Sequence, residues 1–365
     1  MRTGTETAVV RPVDWVQRLG PYRQSDARRA LTELAFTALP FAAIWYAMWW
    51  SLTSGYVVLY VALILPAVGF LVRLFLIQHD CGHHAFLAHR AANNWLGRTI
   101  GVLTLTPYEH WRRAHAIHHA TAGNLARRGV GDIDTLTVEE YRARPHWTRL
   151  RYRIYRHPLI MLVIGPMFVF VLQNRVPAGF FRGGWRPWLS TMGTNVAIAV
   201  AAGTLIALVG VRTFLMVQAP IMLVSAVVGG WLFYVQHQFE STYWRNKEQW
   251  SSREAALHGS SHYDLPRVLK WFTANIGVHH VHHLCSRIPF YRLPEVLRDH
   301  RELRDLGRVT LLRSLRCIRL TLWDERTSRL ISFQEFAEDP QYRAAPVSYR
   351  SAPHATATPP LKDTL

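Results

Sequence analysis

The sequence predicts an all-α integral membrane protein: four transmembrane helices in two hairpins, covered on the cytoplasmic side by a helical cap that gathers histidines. Three observations predict it. Of 365 residues 50% are apolar and 18% charged, and the apolar ones collect in long blocks. The 42 Lys and Arg, against 24 Asp and Glu for a formal net charge of +18, lie mostly outside those blocks. The 19 histidines fall mostly in clusters. Disorder needs low hydrophobicity and few aromatics, which 14 tryptophans exclude for most of the chain. A disulfide scaffold is excluded as well, since three cysteines cannot staple a chain of this length.

The elements follow in order. Residues 1–34 carry Arg2, Arg11, Arg18, Arg23, Arg28 and Arg29, broken up by Asp14 and Asp26. They lack the apolar core of a cleavable signal and read as a cytoplasmic amphipathic lead-in. Four apolar stretches near 35–53, 55–77, 188–210 and 213–236 approach or exceed the roughly 20 residues that cross a bilayer. The first two are joined by a polar turn around Ser51 to Gly55, the last two by Gly210, Val211 and Arg212. Neither link can hold a domain, so the spans pair as hairpins within a domain of residues 35–300. Leu159 to Leu172 is apolar but short, and Gly165-Pro166 interrupts it. A stretch of this kind is expected to lie in the membrane plane or re-enter, not to cross. Residues 301–343 form a cytoplasmic C-terminal region, and 344–365, rich in Pro, Ala, Thr and Ser, read as an unstructured tail.

Sidedness follows from the arginines. Arg112, Arg113, Arg127, Arg128, Arg149, Arg151 and Arg153 lie between the hairpins, and Arg245, Lys247, Arg253 and Arg267 follow the last span. The hairpin turns hold only Arg212. Positive residues favour the inside, so both termini and the central loop are expected in the cytoplasm, beside anionic headgroups. Because the charge sits beside spans and no nucleic-acid motif is present, no nucleic-acid partner is expected.

The histidines carry the chemistry. His79-Asp80-Cys81-Gly82-His83-His84 ends the second span. His110, His115, His118 and His119 follow in the central loop, His237 ends the fourth span, and His279, His280, His282 and His283 come later. His115, His118 and His119 stand at i, i+3 and i+4, which places them on one helical face; His279, His282 and His283 repeat the pattern, and His79 and His83 are an i, i+4 pair. Isolated histidines such as His89, His146, His157, His258, His262, His300 and His354 read as solvated or hydrogen-bonded. The clusters do not, because several potential imidazolium charges packed together are unfavourable unless something neutralises or coordinates them. Eight clustered histidines plus His237 exceed what one four- to six-coordinate ion can use, so two metals are expected. His84, His110 and His280 are intermediate, candidates to orient true ligands.

The donor set narrows the metal. His-Glu-x-x-His, the zinc protease pattern, is absent, as is the Glu-x-x-His of soluble di-iron bundles. Nitrogen ligands disfavour Mg and Ca. Cys81 and Cys285 lack iron–sulfur spacing, and Cys81 reads as a small buried side chain. Iron pairs held by imidazole remain, and their work is oxygen activation.

At these residues the chain resembles the membrane fatty acid desaturase family, whose three histidine boxes appear in order as HDCGH (79–83), HAIHH (115–119) and HHVHH (279–283). The run from Gly131 to Val138 resembles the segment after the second box, and Trp231 to Glu240 the end of the fourth helix. Asn275-Ile276-Gly277-Val278 leads into the third box much as in the acyl-lipid Δ12 (omega-6) branch. The likeness covers roughly residues 35–300. It implies His79, His83, His115, His118, His119, His279, His282 and His283 as ligands of two Fe ions, with His237 as the family's additional histidine. The doubled HDCGHH leaves His84 competing with His83, and the third box contains the extra His280.

The resemblance further implies O2-dependent removal of two hydrogens from a methylene pair of a membrane-associated fatty acyl lipid, leaving a cis double bond, of the Δ12 type by analogy with that branch. Methylenes offer no acid or base handle, so a cofactor must carry that chemistry. The protein must then fix the chain in a narrow apolar tunnel. The His-Pro-Gly-Gly signature of a fused haem domain is missing, so electrons are expected from an external donor, a small acidic ferredoxin steered to the arginine-rich surface. A hydroxylase, ketolase or epoxidase on the same iron pair stays open. A metal transporter is the remoter alternative, since transit histidines belong within spans and these lie beside them.

Overall fold

The computed structural model describes residues 14–129 and 131–343. Arg2 and Arg11 of the lead-in, His354 and the tail 344–365 lie outside the described residues.

Among the described residues four helices are long and apolar enough to cross a membrane: α1 (Ala27–Thr53), α2 (Val57–Gly82), α7 (Trp185–Val209) and α8 (Val211–His237). At a rise of about 1.5 Å per residue each reaches roughly 40 Å. Asp26 caps α1, its carboxylate accepting the Arg29 amide at 3.0 Å. α1 and α2 pack along each other, and α8 packs against both. Gly210 alone links α7 to α8, with φ +82°, a left-handed turn that a side chain would strain.

The helices outrun the apolar blocks that announce them. α1 begins at Ala27 instead of near 35, and α2 continues to Gly82, past residue 77. Hydropathy marks what lies in hydrocarbon, whereas a helix ends where its backbone finds other partners. Gln78, His79 and Asp80 are buried in the cap and stay helical. α7 buries none of the residues in its apolar window. So continuous an apolar surface suits lipid contact.

The segment around Leu159–Leu172 is helical but broken. A π-helical turn, Ile160–Ile164, leads into α6 (Gly165–Val171), where Pro166 stands in the first turn and needs no amide partner. With α5 (His146–Tyr155) it forms a pair bent by 57°, the shape of a broken span or a re-entrant loop.

The cap contains α3 (Arg90–Leu103), α4 (Tyr108–Thr121), α9 (Arg267–Phe272), α10 (His279–Leu284), α11 (Leu293–Asp299) and α12 (Leu311–Cys317). Two small sheets qualify the all-helical expectation. β1 (Leu136–Thr137) pairs in parallel with β4 (Leu320–Asp324), which pairs antiparallel with β5 (Arg329–Ser332). β2 (His262–Asp264) and β3 (Arg308–Thr310) form a parallel ribbon. Strands of two to five residues are too short for their alternation to stand out of a sequence. The core gathers where the spans meet the cap: Leu71, Leu74 and Ile77 of α2, Val235 of α8 and Val281 of α10 belong to one buried cluster with Ile288 and Phe290.

Candidate metal centre

Four pieces of chain converge at the cap end of the bundle. His79 lies in the last turn of α2, and His83 follows as its C-terminal cap. α4 carries His115, His118 and His119, α8 ends on His237, and α10 begins with the third cluster. Nine imidazoles form two groups, His79, His83, His115, His119 and His282 in one, His118, His237, His279 and His283 in the other. Within each group the ligand nitrogens all lie within 4.8 Å of one another. The groups touch: the His119 and His283 rings stack at 4.0 Å and 11°.

The one-face expectation for HAIHH and HHVHH is too coarse. At about 100° per residue, neighbours on a helix diverge while i and i+4 stay within about 40°. The i, i+4 pair of α4, His115 and His119, enters the first group, and His118 turns to the second. In α10 the pair is His279 and His283, in the second group, and His282 turns to the first. Each helix thus serves both groups and ties them together.

The nitrogens are spaced as ligands around an ion. In the first group Nε2 of His115 is 3.0 Å from those of His83 and His119, and His119 Nε2 is 3.2 Å from that of His282. In the second, His237 Nε2 lies 3.1 Å from that of His118 and 3.0 Å from that of His279, which is 3.1 Å from that of His283. Two nitrogens each about 2.1 Å from a first-row metal, at right angles, are about 3.0 Å apart.

Protonation argues the same way. Burial, and next the neighbouring imidazoles, push His83, His115, His119, His279, His282 and His283 well below the ordinary histidine range, so these rings are neutral. His237 Nδ1 donates to the Gly259 carbonyl at 3.2 Å, and His118 Nδ1 donates to the Asp132 carboxylate. With their protons on Nδ1, these two rings turn bare Nε2 lone pairs toward each other at 3.1 Å. Such a contact is repulsive without a positive charge between the atoms. A metal cation resolves it, and an all-imidazole set suits Fe, Zn, Cu or Ni over Mg or Ca.

Among the described residues, the remaining histidines stand apart from both groups. His84, at φ +53°, turns to Asn94 Oδ1 at 3.0 Å. His280 Nε2 donates to the Leu303 carbonyl at 2.8 Å. His110 is buried against Phe180, and His262 Nδ1 donates to the Arg304 carbonyl at 2.6 Å. His258 faces Glu254 at 3.6 Å, and His300 meets Trp15 and Tyr22 edge-on. Cys81 and Cys285 are buried free thiols. Sequence reasoning passed over Asp132 and the Gly259 carbonyl, which fix two ring orientations, and Trp111, stacked on His115 at 4.7 Å. Asp132 sits in the run Gly131–Val138 already singled out, so that run was its signal; a backbone carbonyl leaves none.

Comparison with known proteins meets this geometry. The fatty acid desaturase family model matches residues 54–313. The chain is 42% identical to a fatty acid desaturase of Bacillus subtilis (strain 168) over 324 residues, 89% of this chain and 91% of that protein. It is 30% identical over 224 residues to the sn-1 oleoyl-lipid 12-desaturase of Synechocystis sp., 61% of this chain and 63% of that one. It is 28% identical over 237 residues to the sn-1 acyl-lipid omega-3 desaturase (ferredoxin) of the same organism, 60% of this chain and 61% of the other.

Proposed function

Because this chain belongs to the fatty acid desaturase family, a family of oxidoreductases, we propose that it is an O2-dependent desaturase of a membrane acyl lipid, of the Δ12 type, working with two irons. The observation that carries the reading is the pair of touching imidazole groups. His79, His83, His115, His119 and His282 would hold one iron, and His118, His237, His279 and His283 the other. Bound there, the irons would supply the O2-dependent oxidising power that strips hydrogens from unactivated methylenes, which no acid or base side chain can begin.

The chain's own residues do the rest. Asp132 and the Gly259 carbonyl hold His118 and His237 in the tautomer that offers Nε2. Trp111 and Phe233 wall the imidazoles with apolar rings, Phe233 lying 5.3 Å from both His118 and His237. Such walls keep water out and leave an acyl chain as the natural occupant. The Δ12 assignment is supported by the Synechocystis relative, an sn-1 oleoyl-lipid 12-desaturase, and by the lead into the third box.

The spans form two membrane hairpins, with the cap and both ends in the cytoplasm, a sidedness supported by the arginines that flank them. Arg151 and Arg153 are exposed on α5, a basic face suited to an acidic ferredoxin, the donor named for one relative.

The test is expression in a host that makes no polyunsaturated lipids, with lipid profiling and iron analysis of the purified protein. The expected result is a diunsaturated acyl product, lighter than its precursor by two hydrogens, and two irons per chain. A product heavier by one oxygen would assign an oxygenase instead, and exchangeable zinc without turnover would overturn the enzyme reading.

A further inference from the structure

We propose that the cap seats itself on the membrane through the outer faces of α9 and α12, and holds the headgroup of an anionic phospholipid in the basic groove beside them. The inference rests on the reading of α1, α2, α7 and α8 as bilayer-crossing helices. β2 and β3 are parallel neighbours, so the chain leaves both at the same end of the ribbon, one into α9 and the other into α12.

Both short helices lie beside the last turns of the spans. Trp271 and Phe272 of α9 meet Phe70 of α2 edge-on, at 5.7 and 5.3 Å. One turn further along α2, Arg73 donates to the Trp271 carbonyl and pairs with Glu33 of α1. That is the level reached by 21 residues counted from the far end of α1 and 17 from the far end of α2, the edge of the hydrocarbon. On α12, Ser314 bonds the Tyr263 hydroxyl at 3.0 Å, which accepts from Trp231 Nε1 of α8 at 3.2 Å. The Cys317 carbonyl accepts from Tyr234 of the same span at 3.1 Å.

At that level the outward side chains are apolar. Val268 is 67% exposed, Leu312 78% and Leu315 59%, and Trp271 is open as well. Exposed Arg267, Arg313 and Arg316 flank them. Apolar residues with an interfacial Trp and flanking cations suit the boundary between acyl chains and headgroups.

The groove is the polar half of the same surface. It is lined by Asp264 of β2, Lys270 of α9, Pro294 and Arg298 of α11, Arg304 and Arg308. Lys270 and Arg308 neutralise Asp264, each at 2.6 Å, and Asp305 lies 3.9 Å from Arg308. Arg298 faces its neighbour Asp299 at 3.1 Å, and Arg304 reaches the Leu297 carbonyl at 3.5 Å. Four cations against these three carboxylates leave one net positive charge for a phosphate. Val268 and Lys270 lie two residues apart, on different sides of the short helix α9, so a lipid phosphate in the groove sits within a lipid's length of the apolar face. The occupant is a phospholipid with net negative charge.

The test uses the full chain. Cys81, Cys285 and Cys317 are buried, so a nitroxide can be attached at L312C, with V61C on α2 as a span control and K247C as a water control. In nanodiscs, V61C is expected to be accessible to oxygen and not to an aqueous nickel chelate, K247C the reverse, and L312C to behave as lipid-facing. A water-exposed V61C overturns the span reading; a lipid-facing V61C with a water-exposed L312C overturns this proposal alone. In detergent, short-chain phosphatidylglycerol is then titrated against L312C, with phosphatidylcholine and inorganic phosphate as controls. Phosphatidylglycerol is expected to bind selectively, and R298Q/R304Q to weaken it about 30-fold, near fivefold for each cation removed. Equal binding of phosphatidylcholine, an unaffected double variant, or full displacement by inorganic phosphate would each refute the lipid site.

Discussion

At the scale of single residues, the centre is organised by which ring nitrogen is free. His83 and His84 are adjacent in sequence and opposite in role: His83 stands with the first imidazole group, whereas His84 bonds Asn94. H83A is therefore expected to lower iron content and abolish desaturation, while H84A keeps its iron; metal analysis of both proteins checks this, and iron loss in H84A would overturn the assignment. Asp132 acts through His118. Removing such a partner costs about 10- to 100-fold in metal affinity. D132A is expected to fall by that amount, and D132N, whose amide oxygen still accepts the Nδ1 proton, to retain most of it, as iron titrations of the apo protein would report.

At the scale of elements, the third box is held to α2 at both flanks. Arg73 takes the Trp271 carbonyl ahead of α10, and Asp80 accepts the Phe290 amide beyond it at 2.6 Å. Both side chains are buried, 1% exposed, so each bond is shielded from water. D80A leaves a buried amide without its hydrogen-bond partner, a loss of about 1–3 kcal/mol. Thermal melts should show it, together with reduced iron, while D80N restores much of both. The ribbon below α9 gives a pH signature. Burial works against an ionised Asp264, but the hydrogen bonds from Lys270 and Arg308 outweigh it and hold the carboxyl at about 2. That stabilisation is complete above the ordinary aspartate value of 3.8 and fades as pH falls towards about 2. The gap between wild-type and D264N melting temperatures is expected to be constant at mild pH and to close over that acid window.

At the scale of the molecule, the cap draws four distant stretches onto one end of the bundle, and two spans, α2 and α8, end in the site itself. On the proposed reading the site lies at the cap–membrane boundary, where an acyl chain can enter without leaving lipid, and electrons are supplied across the basic exterior. If an acidic ferredoxin docks there, turnover should fall steeply as salt rises from about 50 to 500 mM, since surface attraction is screened within about 10 Å at 0.1 M; salt-insensitive turnover would exclude that docking mode.

The candidate spans and the residue types of the candidate ligands are legible in the sequence, because each rests on local pattern. A run of about 20 apolar residues must be satisfied in lipid, and clustered histidines need a counter-charge. Even the nine imidazoles of the two groups are those the spacing and the resemblance picked out. The tertiary structure alone decided how they divide, with His118 and His282 crossing to the group opposite their helix partners. It alone showed that His84 and His280 bond elsewhere, that Asp132 and a backbone carbonyl set the tautomers, and that β1 pairs with a strand nearly two hundred residues away. Those are contacts between segments remote in sequence, fixed by three-dimensional packing, and no local periodicity encodes which lone pair will face which.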